Sequence, residues 1–229
     1  MSLTRSCMSH RIKKELMQRI SDGAYQPGER LIELQIAREF ETSQAPVREA
    51  LCELEIMGVV ETEPYKGTRV KEITPQDLEE AIKIRSALES LAAESADNRL
   101  LDQIDDLRAK AKKTVEYARQ RDTLKFALAN VEFHRMIVQA SNNKTLMSTW
   151  ENLAPELRMK ACAKLNVDKL AQAANDHLDI VEAFAEGDNH FAAKLLKRHT
   201  EAIITHLHER EQLVKPPALS NARAKGAKS

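Results

Sequence analysis

Apolar residues recur at helical spacing along most of this 229-residue chain, and the exceptions are confined to one short stretch. In "SHRIKKELMQRISDG" (residues 9 to 23), Ile12, Leu16, Met17 and Ile20 share one face, and Gly23 supplies a C-terminal stop. "YQPGERL" then turns the chain. A short helix over about 33 to 40 buries Ile36, Ala37 and Phe40, "ETS" connects it, and a third helix starts at Gln44. Two short helices joined by a tight turn form a helix-turn-helix. After Gly58 the period changes to two: "VVETE", the turn "PYKG" and "TRVKEI" predict a β-hairpin.

From Thr74 onward the pattern is helical throughout. "TPQD" opens a new element, with Thr74 as N-cap, Pro75 at the first helical position and Asp77 reaching back. About six helices follow, over 75 to 97, 101 to 119, 122 to 140, 145 to 164, 168 to 186 and 188 to 212, broken by "SNNK" and Gly187. The expected fold is therefore mainly α. A winged helix-turn-helix over 9–73 precedes an all-α antiparallel helical bundle over 74–212, and a basic tail over 213–229 is expected to be disordered.

Within the third helix, Val47, Leu51 and Leu54 form the inward stripe, while Gln44 and Arg48 share a separate polar face. Ser43 is the expected N-cap, accepting from the amide of Ala45 at a gain of about 1 kcal/mol, and Pro46 falls in the first turn, where its missing N–H costs little. Unpaired amides at a helix start suit phosphate, and Gln and Arg carry donors matched to base edges, as a recognition helix in the major groove requires. Lys66 and Gly67 at the hairpin tip add a compact, cationic second contact.

Composition narrows the partners. There are 35 basic and 35 acidic side chains, so attraction to DNA has to come from where charges sit and not from their sum. No run of about 18 apolar residues predicts a membrane span and no signal peptide is expected, so the cytoplasm is the expected location. Cys7, Cys52 and Cys162 are odd in number and lack any CxxC, which predicts reduced bystanders.

The stretch from "YQPGERL" to "KGTRV", through "PVREAL" and L-x-x-x-G-V-V, resembles the DNA-binding domain of the GntR family of bacterial transcription regulators. That resemblance implies an operator-binding module with contacts from Arg38, Ser43, Gln44, Ala45, Pro46, Arg48, Lys66 and Gly67. Two departures stand out. Glu41 occupies the turn where the family usually has glycine, which would force a non-glycine residue left-handed, and Gln44 and Ala45 stand where arginine and threonine are common.

Asn130 and His134, at i and i+4, project side by side, and His177 and His199 lie on two other helices. Three imidazoles and an amide converging in a bundle can hold a divalent metal. "IKIRSALESLAAESA", "NVEFHRMIVQASNNKTL", "DHLDIVEAFAEGD" and "AAKLLKRHTEAI" resemble the FCD effector domain of the FadR subfamily. That likeness implies a transition metal, zinc or nickel, held by Asn130, His134, His177 and His199, with the amide in place of the usual aspartate. It also implies a homodimer on palindromic half-sites and a small carboxylate effector completing the metal, with repression relieved by ligand as the common arrangement. Arg85 is the candidate cation for that carboxylate, or else the i, i+4 ion-pair partner of Glu89. His206 and His208 are expected in solvent, Phe133 in the core, and Glu132 on another face. Two other classes are weighed: a metal-dependent helical-bundle enzyme, disfavoured because no general base accompanies Asn130 and His134, and an adaptor that has lost DNA contacts.

Overall fold

The computed structural model describes residues 2–214, mostly helical with one small sheet. Helix α1 (Ser2–Ser21), strand β1 (Arg30–Leu31), α2 (Glu33–Glu39), α3 (Gln44–Ile56) and strands β2 (Val60–Glu63) and β3 (Gly67–Val70) form the first unit. Its core joins Ile12, Leu16 and Ile20 of α1 to Ile36, Val47, Leu51 and Leu54, so the inward stripe of α3 is anchored as its spacing requires. Glu41 takes the left-handed conformation (φ 50°) in the α2–α3 turn.

The wing contains one strand more than the hairpin expected. β1 pairs antiparallel with β3 (Arg30 opposite Arg69, Leu31 opposite Thr68), giving the order β1-β3-β2. Two residues are too short for a periodic signal, and only the buried Leu31 betrays the strand. Gly67 is required twice: its φ is +83°, and an added Cβ would lie 3.2 Å from Arg30 Nη2.

Among the described residues seven α-helices follow: α4 (Pro75–Glu94), α5 (Ile104–Arg119), α6 (Thr123–Ala140), α7 (Lys144–Asn152), α8 (Pro155–Leu165), α9 (Leu170–Ala185) and α10 (Asn189–Val214). The single helix expected over 145 to 164 is two. Pro155 inside a helix would lack its donor and clash with the carbonyl one turn back, so the chain breaks at Ala154 (φ 46°) and restarts with Pro155 in the first turn. Helix α10 runs through Val214, into the first residues of the expected tail; residues 215–229 lie outside those described.

Thr74 caps α4 in a reciprocal box: its hydroxyl accepts from Asp77 N at 3.1 Å, and Asp77 Oδ2 accepts from Thr74 N at 2.9 Å. Burial opposes the charge on Asp77, but Lys71 Nζ at 2.5 Å and the Thr74 bonds outweigh it and hold its pKa at about 2, below the ordinary 3.8. A depressed carboxylate stabilises the fold above its unfolded pKa, so this contribution is complete above about pH 4 and lost as pH falls toward 2. Thr74→Ala is expected to cost about 1 kcal/mol in urea unfolding at pH 7 and less at pH 2.5.

Helix α8 joins the two halves. Ala154 and Leu157 pack into the first core, the Arg158 guanidinium donates to Met57 O (3.2 Å) and to Leu153 O, and Lys160 Nζ reaches Asp22 Oδ1 at 3.0 Å. Gly58 permits this approach, because a Cβ there would sit 3.2 Å from Arg158 Nη2.

Candidate functional site

The centre of the helical half is built by α4, α6, α9 and α10. His134, His177 and His199 are buried, and one ring nitrogen from each lies within 4.8 Å of the others. The second nitrogen of each ring decides what the first can do. Thr114 Oγ1 donates to Ala111 O at 2.8 Å, so toward His177 Nδ1, 2.9 Å away, it can only accept. His177 Nδ1 therefore carries the proton. His199 Nδ1 faces Asp176 Oδ2 at 3.3 Å, which makes it a donor, whereas His134 Nδ1 lies 2.9 Å from Glu89 Oε2 in a charge contact without hydrogen-bond geometry. A neutral ring with its proton on Nδ1 presents an Nε2 lone pair.

Two of those nitrogens, His177 Nε2 and His199 Nε2, are 3.2 Å apart, and His134 Nε2 is buried without a hydrogen-bond partner. Adjacent imidazole nitrogens on one ion, at bonds of about 2.1 Å, stand roughly 3.0–3.4 Å apart. Crowded lone pairs at that spacing repel unless a cation lies between them. Burial pushes His134 down to about 4, with Glu89 opposing, and burial with the neighbouring imidazoles holds His177 well below its ordinary value. Both rings are neutral at pH 7, the state a metal needs. These three residues fit a divalent transition metal.

Asn130 is adjacent but turned away. Its Nδ2 faces His177 Nε2 at 3.3 Å, and its Oδ1 faces Arg85 Nη2 at 3.5 Å. Aspartate in this position would have two oxygens, one for each neighbour; asparagine has one. Only a half-turn of the amide would direct that oxygen into the cluster, and the turn gives up the Arg85 contact.

Arg85 forms the i, i+4 ion pair that was its alternative reading, its Nε donating to Glu89 Oε1 at 2.6 Å, and its Nη2 lies 3.5 Å from Asn130 Oδ1 beside the cluster. Glu89 itself is the residue the spacing argument passed over. Fully buried, it also accepts from Trp150 Nε1 at 2.9 Å and stands beside His134, which ties α4, α6 and α7 together. Burial works against its charge, yet Arg85 and His134 hold its pKa below the usual carboxylate range. The signal for it was the i, i+4 pairing alone, which reads the same on a solvated surface. Phe133 lies in the core, its ring centroid 4.4 Å from that of His177, and Glu132 faces outward with Arg135 and Lys110. Cys162 is free and buried, which pushes its thiol up to about 12, while Cys7 and Cys52 are exposed and free. His208 is half-exposed and meets Glu79 at 2.6 Å, whereas His206, expected in solvent, is partly buried beside the centre.

On the first unit, Arg38, Ser43, Arg48 and Lys66 are exposed, with Gln44, Ala45 and Gly67 half-buried. Arg48 Nη2 donates to Gln44 Oε1 at 3.2 Å, so the two do share a face, and Arg48 Nε is paired with Glu33 at 2.6 Å. Two expectations need correction. Ser43 begins α3 in extended conformation but its hydroxyl makes no capping bond, and Pro46 is buried, so it shapes the helix start and offers no contact surface. Arg30 and Arg69 flank the wing, and Tyr65 stands fully exposed at its tip in a left-handed conformation (φ 66°); the sequence reading named none of these.

A winged helix-turn-helix with an open polar recognition face, carried on a helical domain with a buried imidazole centre, is the architecture of a DNA-binding transcription regulator with an effector domain. The chain belongs to the GntR family of bacterial regulatory proteins: the gntR-family model matches residues 8–70 and the FCD domain model residues 80–202. It is 35% identical over 203 residues, 88% of this chain and 89% of the relative, to the "Probable D-xylose utilization operon transcriptional repressor" of Paenarthrobacter nicotinovorans. It is 26% identical to the "Gluconate operon transcriptional repressor" of Bacillus licheniformis, over 88% of this chain and 85% of that one. The fold is that of E. coli McbR/YncC (TM-score 0.71, 23% identity, 89% of this chain and 98% of that one). It is a regulator and not an enzyme. Among the described residues no helix is long and apolar enough to cross a membrane.

Proposed function

We propose that this regulator is a cytoplasmic homodimeric repressor. Its units, 9–73 and 74–212, respectively read palindromic operator half-sites and sense a small carboxylate through a bound divalent metal, zinc or nickel. The observation that carries this reading is the convergence of ring nitrogens from His134, His177 and His199 in a buried site, with Nε2 of the last two 3.2 Å apart. A metal bound there is a Lewis acid, and three neutral imidazoles with an amide leave it the full double charge. An anionic effector suits such an ion. Arg85, paired with Glu89 through Nε and with its Nη2 3.5 Å from Asn130 Oδ1, is the cation assigned to the carboxylate.

Helix α8 supports communication between the halves, because its first turn holds Met57 O at the end of α3 and its later turns line the cleft beside the centre. A ligand that shifts α8 then changes how the recognition helices are presented, provided it favours one arrangement over the other.

DNA contact is assigned to Gln44 and Arg48 for base edges and to Lys66, with Arg38 and the backbone at Ser43, Ala45 and Gly67, for phosphates. Arg48 has to leave Glu33 to reach a base. An exposed ion pair is worth about 0.2–1 kcal/mol, less than the roughly 1–3 kcal/mol of a good base contact, so the exchange is favourable. In anisotropy titrations with fragments selected from genomic DNA, Arg48→Ala is expected to weaken binding about 10- to 100-fold and relax specificity, and Glu33→Gln to strengthen it. Lys66→Ala is expected to weaken all sequences alike and lower the salt slope by about one. Wild-type affinity in Arg48→Ala would overturn the assignment.

A further inference from the structure

Beside the imidazole cluster runs a narrow cleft with Asn130 and His199 in its wall, lined by Phe126, Met159, Leu170 and Ile203, with Lys169, Asn166 and His206 also at its edge. Its length follows from α10. His199 and His206 are seven residues apart, which places them on one face and roughly 10 Å apart along the axis, with the apolar Ile203 between them. The cleft is therefore polar at two separated places and greasy in the middle.

The polar groups away from the cluster include a cation without a partner. Lys169 is exposed and makes no ion pair among the described residues, although the preceding Asp168 is taken by Arg121 at 2.7 Å. Asn166 spends its Nδ2 on Cys162 O at 3.0 Å, and His206 lines the cleft beside them.

We infer that the effector is a short dicarboxylate with an apolar spacer: one carboxylate at the metal and Arg85, the methylenes against Phe126, Met159 and Ile203, and the second carboxylate on Lys169. This rests on the metal-and-carboxylate reading above and adds the second anchor. The same walls reject polyhydroxylated acids, whose hydroxyls would be buried against side chains that cannot hydrogen-bond.

The test is calorimetric titration of the full-length protein loaded with Zn²⁺, its metal content measured first. Glutarate and adipate are compared with pentanoate and hexanoate, the monocarboxylates of equal carbon count, and with D-gluconate. At least one dicarboxylate is expected to bind about tenfold or more tightly than its monocarboxylate. Lys169→Met is expected to erase that advantage while leaving monocarboxylate affinity unchanged, and Lys169→Arg to keep it. Equal affinities for the two kinds of acid, a Lys169→Met variant that retains the preference, or D-gluconate binding more tightly than every dicarboxylate would each overturn the second anchor while leaving the metal reading standing. Failure of every carboxylate to bind the loaded protein would remove both.

Discussion

Glu89→Ala is expected to destabilise the protein by about 3–5 kcal/mol, because it strands a buried cation. Glu89 is the acceptor for Arg85 Nε at 2.6 Å and Trp150 Nε1 at 2.9 Å, and its other oxygen stands 2.9 Å from His134 Nδ1. Without it, the guanidinium loses its counter-charge in a place water does not reach, and the indole N–H loses its acceptor. In a chain of this size the loss corresponds to a fall in Tm of roughly 6–20 °C. Two controls separate charge from shape. Glu89→Gln keeps an acceptor for Trp150 and should cost less, and the double replacement Arg85→Met with Glu89→Leu should recover most of the stability, since the buried ion pair and its desolvation vanish together. That double variant is also expected to bind DNA but to ignore the effector. A Glu89→Ala protein as stable as the wild type would mean that the carboxylate reaches solvent or that another anion replaces it.

Loss of the metal is the second large effect expected. At free Zn²⁺ about a hundredfold above its Kd, binding stabilises the folded state by about 2.7 kcal/mol, seen as a Tm rise of about 5–10 °C that a chelator reverses. His177→Ala should abolish this response and lower metal affinity by at least about 100-fold, beyond the 10- to 100-fold typical of changes to groups that merely orient the ligands. His177 is the suitable position because Thr114 keeps its bond to Ala111 O when the ring is removed, so no hydroxyl is left stranded. Asn130→Asp should act in the opposite direction: a second oxygen lets one residue serve both Arg85 and the ion, tightening metal binding and weakening the response to an anionic effector. Equilibrium dialysis with elemental analysis reads both. A wild-type protein that takes up no transition metal and shows no thermal shift would end this account of the centre.

The pattern of the chain alone specified the helix-turn-helix, the recognition helix from Gln44, the Thr74 cap and the helical second half. Each depends on neighbours in sequence, through periodicity or a cap completed within one turn. It also named the three histidines and Arg85, since i, i+4 spacing and family resemblance need no third dimension. The break at Pro155 was missed by the helix expected over 145 to 164, although a proline deep inside a helix destroys a hydrogen bond and was itself a signal for it.

Other features were decided only when distant segments met. Ser43 lost its capping bond and Pro46 its exposure to the packing around α3, and β1 exists because β3 supplies its partners. Arg48 acquired Glu33, fifteen residues away, as a competitor for DNA. Most consequential, Glu89 changed from a surface ion-pair partner into the buried acceptor for Arg85 and Trp150, and Thr114 and Asp176 became the groups that set which nitrogen of His177 and His199 carries the proton. Sequence supplies the ligating atoms. Their protonation, spacing and charge balance arise from contacts across more than twenty residues, and these form only as the helices close around them.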